Sequence, residues 1–391
     1  MNVPIPPFSA PGKRPTRLAA MTKLLRSDDA WKGRWQFNEF LQRNQMLNGH
    51  NVFEPISDLH VLQIQEAVQL GGYRGAKKEV LRDALDIVCH EHPYHPICSW
   101  LNAEHDDKIP RMSHWLVDCL GAEDTPYNRA IGRMFIIAMV ARVMQPGCRA
   151  DYMLILEGPQ GIQKSHACRI LAGAEYFDDH VPLMERDPVR ASMALRGKWL
   201  MEVAEMDSFN RWNIDNLKAF VTRTTENFTP KFGRAPVSEP RQCLFIGTTN
   251  REDYLVDVTG GRRFWPVRCG EIDIERLAAM RNKLFAEAVT AYRNGEHWWP
   301  DAEFEAEHIK PEQEERQQPD AWIDDIRPWL LTRSQVTLMQ VWKECISTSN
   351  GDATNYHRHQ QVRVADCLRQ LGWEPGRRLK QAQLWVEKPK P

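Results

Sequence analysis

At 391 residues the chain is too long for one ordinary core and long enough for two or three domains. Hydrophobic residues at 42% and charged residues at 26% are those of a soluble globular protein, which excludes fibrous and wholly disordered classes. A formal net charge of -1 excludes a bulk electrostatic pull toward nucleic acid, so any basic site has to be local.

Residues 1–15, MNVPIPPFSAPGKRP, are proline-rich and predict a disordered segment without the apolar core of a signal peptide. No apolar run reaches the ~20 residues of a membrane span. The 9 scattered cysteines, with no Cys-x-x-Cys pair, read as free thiols of a reducing compartment. A cytoplasmic protein with no membrane partner is expected. Residues 16–105 read mostly as helices, with helical apolar spacing in SDLHVLQIQEAVQLGG and AKKEVLRDALDIVCHEH, and predict a helical N-terminal domain. The run CHEHPYHPIC gathers Cys89, His90, His92, His95 and Cys98 at no common zinc spacing, and its His-Pro pairs read as a turn between helices.

Residues 106–305 predict the core domain. YNRAIGRMFIIAMVARVMQPG reads as a largely buried helix ended by Pro146-Gly147. Four apolar runs follow, YMLILEG, KWLMEVAEM, QCLFIGTTN and RRFWPVRC, with helical segments between the first three. Strands alternating with helices predict an α/β fold with a largely parallel sheet. Trp298-Trp299 reads as packing. Residues 306–320, acidic and glutamine-rich with Pro311 and Pro319, read as a linker. In residues 321–391, TLMQVWKECI and RHQQVRVADCLRQLGW are amphipathic helices, and EPGRRLKQAQLWVE is a turn and strand. That order is similar to a winged helix. Arg358, Arg363, Arg369, Arg377, Arg378 and Lys380 make this unit basic, suited to DNA phosphates or, alternatively, to protein contacts.

The strongest chemical signal is LILEGPQGIQKSHACRILAG. A buried strand runs into a tight turn, Gly158-Pro159-Gln160-Gly161-Ile162-Gln163, then Lys164-Ser165-His166 and a helix. Turn amides and a helix N-terminus face an anion, the lysine reaches β/γ-phosphates, and the serine hydroxyl ligates Mg²⁺. The pattern is G-x-x-x-x-G-K-[ST], except that Gln163 stands where the second glycine belongs. ATP and Mg²⁺ are the expected cofactors. Glu202 and Glu205 end an apolar strand, where a phosphate-loop ATPase needs acids for the metal shell and the attacking water. Asn250 ends the next strand, where an amide can sense the γ-phosphate. Gly260-Gly261 presents Arg262 and Arg263, and an arginine supplied by a neighbouring subunit can stabilise transition-state charge. Each element alone also reads as an ordinary surface feature; the four in this order point to one site.

These residues, together with HPYHPICSWLNA, SHWLVDCLGAEDTPYNRAIGRMFIIAMVARVMQPGCRADYMLILEGPQG, LKAFVTRTTENF and TGGRRFWPV, resemble the virulence-associated protein E family, over about residues 16–310. That family is similar to superfamily-three helicases and poxvirus-type primase-helicases. The resemblance implies an AAA+-like ATPase core, ring assembly (a hexamer) and a role in replicating prophage or other mobile DNA. Lys164 and Ser165 carry over as phosphate and Mg²⁺ residues, Glu202 and Glu205 as the acidic pair, Asn250 as sensor, and Arg262 and Arg263 as finger candidates. The chain departs from the family at Gln163, at His166 in place of a small hydroxyl residue, and at Glu226 and Thr229, where an Asp and an Arg are usual. The related helicases place a hairpin in the ring channel between the acidic and sensor strands. The matching region here holds Lys231, Phe232, Arg234 and Arg241 for contact with single-stranded or forked DNA.

Two functions follow as expectations. One is an ATP-driven ring helicase or translocase, partnered by DNA, by copies of itself and by a separate primase. The other is a nucleotide-gated DNA-binding protein of replication initiation or phage interference with little turnover, a reading that Gln163 and Thr229 favour.

Overall fold

The structure is a computed structural model that describes residues 17–181, 187–206, 211–230, 235–251, 254–255, 263–316, 320, 322–346, 356–378 and 383–388. After α1 (Leu18–Ser27) come β1 (Trp35–Asn38), β2 (Arg43–Leu47) and β3 (Phe53–Pro55), then α2 (Asp58–Leu70), α3 (Lys78–His90) and β4 (Pro93–Tyr94). The strands form one sheet in the order β3-β2-β1-β4, an element the mostly helical reading of this region did not include. Its strands carry buried polar residues that satisfy one another: Gln36 Nε2 donates to Gln45 Oε1 at 2.8 Å. Such a sheet shows no apolar alternation. Val61, Ile64 and Val68 of α2 pack with Leu81, Leu85 and Val88 of α3 around Trp31 and Trp35.

Next come α4 (Pro96–Ala103), α5 (Trp115–Leu120) and α6 (Pro126–Met144). Thr125 caps α6 by accepting from Asn128 N at 3.1 Å, with Pro126 in the first turn. Every residue from Phe135 to Val143 is buried, so the helix is covered on all sides, and the one charged residue among them, Arg142, donates from Nη1 to Cys148 O at 2.7 Å.

The core alternates β5 (Met153–Glu157), α7 (Lys164–Ala172), β6 (Phe177–Asp178), α8 (Pro188–Ala194), β7 (Leu200–Val203) and α9 (Arg211–Val221). It continues with β8 (Thr225–Phe228), β9 (Val237–Pro240), β10 (Leu244–Thr249), β11 (Phe264–Arg268) and α10 (Ile274–Arg293). Five strands make a parallel sheet in the order β11-β5-β10-β7-β6. Period-two alternation sorts its side chains: Leu154, Leu156, Leu244 and Ile246 face the cluster that holds α6 and α10. Met153, Ile155, Met201, Val203 and Phe245 face Ile214, Leu217 and Phe220 of α9. With both faces covered, the strands read as continuous apolar runs, and the polar groups of the core collect at their ends.

The expected linker over 306–320 is helical through Glu315: α11 (Ala302–Phe304), a π-helical turn (Glu305–Ile309) and α12 (Lys310–Glu315) run on. Ile309, Gln313 and Arg316 are buried, and Gln313 Nε2 donates to Phe264 O of the sheet at 2.7 Å. Arg316 pairs with Glu157, distant in sequence, which composition cannot show. The last unit has α13 (Trp322–Leu330), β12 (Gln335–Thr337), α14 (Leu338–Gln340) running into a π-helical turn (Val341–Ile346), α15 (Arg358–Gln370), β13 (Trp373–Arg378) and β14 (Gln383–Glu387). Its antiparallel sheet, β12-β14-β13, closes over a core of its own containing Ile326, Trp342, Leu368 and Trp385. Among the described residues no helix is long and apolar enough to cross a membrane.

Candidate functional site

The polar strand ends of β5, β7 and β10 meet at one edge of the central sheet. Gly158 leaves β5 with φ 147, and a Cβ there would lie 2.7 Å from Ile162 Cδ1, so the tight turn needs glycine. Gly161 has φ 90. Gln163 caps the N-terminus of α7 in the left-handed region, at φ 71 and ψ 26. That conformation explains why glycine is usual there: a side chain pays roughly 1–2 kcal/mol to adopt it. Glycine in its place returns part of this through greater freedom of the unfolded chain, about 0.4–1 kcal/mol. Gln163→Gly is therefore expected to be neutral to about 1 kcal/mol stabilising, and Gln163→Val destabilising by more than that. Urea unfolding measures both, and a glycine variant less stable than wild type contradicts the strain at this position.

The first-turn amides of α7 lack helical acceptors, which makes this helix start suited to an anion. Lys164 is buried and its Nζ donates to Gly158 O at 2.6 Å, Pro159 O at 2.9 Å and Asn250 Oδ1 at 3.1 Å. The ammonium thus spans from the loop to the end of β10. Ser165 Oγ donates to Glu202 Oε1 at 2.7 Å, and Thr248 Oγ1 donates to the same oxygen at 2.6 Å. Glu202 is 1% exposed, and its Oε2 is buried with no hydrogen-bond donor among the described residues. A buried carboxylate oxygen without a donor, beside a serine hydroxyl and below a lysine, suits a hydrated divalent cation carrying phosphates. The donor set is all oxygen, as Mg²⁺ requires. Glu205 lies past β7, exposed, at φ 53, another non-glycine residue in the left-handed region. Cys269, beside the loop, is pushed up to about 12 by burial and is no thiolate nucleophile.

Thr248 was not singled out by the sequence. The signal was its place one residue inside the polar end of an apolar strand, in register with Leu156 of β5. A second unforeseen feature lies under the loop. Glu157, the last residue of β5, accepts from Arg316 Nε at 2.9 and 3.1 Å and from Tyr254 Oη at 2.8 Å. Burial raises the Glu157 carboxyl above its ordinary range, against the pull of Arg316 and Tyr254. Burial also opposes the Arg316 charge, but Glu157, Glu312 and Glu315 hold its pKa above the usual value.

The remaining candidates scatter. Arg263 is half-buried at the entry to β11, and Arg262 lies outside the described residues. His166 is exposed on the first turn of α7. β8 and β9 pair as antiparallel strands between α9 and β10, with Phe228 opposite Val237, and Lys231, Phe232 and Arg234, between them in sequence, lie outside the described residues. Arg241 is a correction: it is 2% exposed, donates from Nε to Glu226 Oε1 at 3.0 Å, and stacks over Phe220 at 4.6 Å, so it is not open to DNA. Glu226 also accepts from Ser192 Oγ at 3.0 Å, so it serves a buried ion pair. Removing one partner strands the other charge, and Arg241→Ala is expected to lose about 3 kcal/mol of stability in urea unfolding. A loss below about 1 kcal/mol, in the range of an exposed pair, contradicts that assignment.

In the last unit Arg363 donates to Asp320 at 2.7 and 2.8 Å and stacks on Trp322 at 3.8 Å. It fastens α15 to the start of the unit, with its side chain 39% exposed. Arg358, Arg377 and Arg378 are exposed, and Lys380 lies outside the described residues. His95 accepts from Cys98 N at 3.1 Å, capping α4, and its Nε2 meets Gln242 Oε1 at 2.6 Å.

A family model described as the virulence-associated protein E-like domain matches residues 101–318. No curated protein matches the chain. Among solved structures, the A form apo structure of the NrS-1 C terminal region is similar at TM-score 0.50 and 12% identity, covering 96% of this chain and 100% of that one. An apo structure of the same NrS-1 region gives TM-score 0.46 and 13% identity, covering 91% of this chain and 96% of that one. A chain from the complex between magnesium chelatase subunits BchI and BchD gives TM-score 0.29 and 16% identity, over 61% of this chain and 92% of that one. At these identities the NrS-1 likeness of TM-score 0.50 is one of fold.

Proposed function

The chain belongs to the virulence-associated protein E-like family, and from that premise we propose that it is a Mg²⁺- and ATP-dependent motor of the phage-type replicative helicase kind. The observation that carries this is the convergence on Glu202: Ser165 Oγ and Thr248 Oγ1 both donate to Oε1, while the buried Oε2 has no donor among the described residues. The strand order β11-β5-β10-β7-β6, with the phosphate loop leaving β5 and β10 inserted beside it, supports an AAA+-like core.

In this reading the loop amides and Lys164 hold the triphosphate, with Lys164 exchanging carbonyl partners for phosphate oxygens. Ser165 and Glu202 would hold the Mg²⁺ shell, and the cation would supply charge neutralisation of the triphosphate. Glu205 orients the attacking water, and Asn250, already bonded to Lys164, senses the γ-phosphate. Arg262 or Arg263 completes the site of a neighbouring subunit, which makes a ring, a hexamer, the working form. DNA engages the segment between β8 and β9 at Lys231, Phe232 and Arg234, and the winged-helix-like unit at Arg358, Arg377, Arg378 and Lys380. Replication of a prophage or mobile element, with a separate primase, is the setting.

A second reading has its own observation. Gln163 holds a left-handed conformation and carries a side chain where glycine is usual, which favours a nucleotide-gated DNA-binding or regulatory protein with little turnover. Steady-state ATP hydrolysis with and without single-stranded DNA separates the two. Turnover raised by DNA supports the motor; Mg–ATP binding without turnover selects the gated protein.

A further inference from the structure

A second cleft opens at the other end of β5. Gln145, Cys148, Arg149, Asp151, Tyr152, Trp298 and Trp299 line its volume of about 540 Å³, within the range of small-ligand sites. Asp151 lies seven residues before Gly158, so the cleft is roughly 20 Å along the chain from the phosphate loop and separate from it.

Three features call for a ligand. Trp299 is 41% exposed, where an aromatic used for packing would be covered. It is held rigidly: His297 stacks on it at 4.4 Å and 13°, and Trp298 stands against it at 84°. Trp298 itself is fixed by its Nε1 donating to Arg149 O at 2.7 Å. The carboxylate of Asp151 accepts from Arg149 at Oδ2, 2.8 Å, while its Oδ1 is buried and has no hydrogen-bond donor among the described residues. Arg149 is 83% exposed and has further N–H donors to offer.

A ligand that answers all three is planar, carries an N–H donor for the Asp151 carboxylate, whose side chain is 20% exposed, and brings an anion to Arg149. A cationic side chain meets the first two demands but is repelled by the arginine. A nucleotide meets each: base on Trp299, ring or exocyclic N–H to Asp151, phosphate on Arg149. We propose that this cleft binds one nucleotide unit, as a link of a single strand or as a free monophosphate. The strand case rests on the DNA-binding reading above.

A fluorescein-labelled single-stranded 12-mer is titrated with intact wild type, Trp299→Ala, Arg149→Ala and Trp299→Phe at matched salt. Mg–ATP affinity is measured alongside. Deoxyadenosine monophosphate is tested in the Lys164→Ala background, which removes the phosphate-loop site. The expected result is at least a roughly fivefold loss of 12-mer affinity in Trp299→Ala, largely rescued in Trp299→Phe. Arg149→Ala loses affinity with a salt slope smaller by about one. Mg–ATP affinity stays unchanged in all three. Monophosphate binding that requires Trp299, with no 12-mer binding, assigns the cleft to a free nucleotide and rejects the strand reading instead. Wild-type 12-mer affinity in Trp299→Ala and Arg149→Ala overturns the cleft while leaving DNA binding elsewhere intact. No binding of either probe overturns both.

Discussion

Lys164→Ala is expected to lower Mg–ATP affinity by roughly a hundredfold and to remove turnover. Lys164 is the one described cation that bridges the loop and β10, through Gly158 O, Pro159 O and Asn250 Oδ1. In the bound state each of its N–H donors turned toward phosphate makes a charge-assisted bond, worth about 1.5–3 kcal/mol. One or two such bonds give the stated factor at about 1.4 kcal/mol per tenfold. Isothermal titration with Mg–ATP and a coupled phosphate-release assay measure the two effects. The fold should survive, because alanine keeps the helix and the two carbonyls regain solvent. An alanine variant that binds Mg–ATP within threefold of wild type contradicts the placement of the triphosphate.

Glu202→Gln is expected to separate binding from chemistry. The amide keeps the size of the carboxylate and can still accept from Ser165 or Thr248, but it contributes no charge to the cation shell. Turnover should fall by about a thousandfold, the scale of removing one preorganised electrostatic group, with nucleotide affinity reduced far less. The same change relieves a buried charge, and thermal unfolding should show equal or higher stability. Equal turnover in the two proteins would place the metal shell elsewhere.

Four of the five core strands were legible because burial on both faces makes each a short continuous apolar run; the two-residue β6 is too short to give one. The same burial drives polar groups to the strand ends, where Glu202 and Asn250 stood out. Lys164-Ser165 was legible from spacing, and the left-handed backbone at Gln163 shows why that position usually holds glycine. The N-terminal sheet was hidden because Gln36 and Gln45 are buried in mutual hydrogen bonds, which no hydropathy pattern reveals. Arg241 read as a DNA-contact candidate and Arg316 fell in the expected linker, since the partners that bury them, Glu226 and Glu157, lie 15 and 159 residues away. Thr248 was missed for a related reason: a hydroxyl inside an apolar strand declares itself only when a neighbouring strand brings a carboxylate to it.

The central claim is that the turn from Gly158 to Lys164, with Ser165 and Glu202 behind it, holds a Mg-bound triphosphate in spite of Gln163. Calorimetric titration of the folded protein at high concentration with Mg–ATP, and with ATP in EDTA, measures this directly. The account predicts saturable binding that weakens without Mg²⁺. Heat-free titrations in both, from protein shown to be folded by its cooperative unfolding, would contradict it.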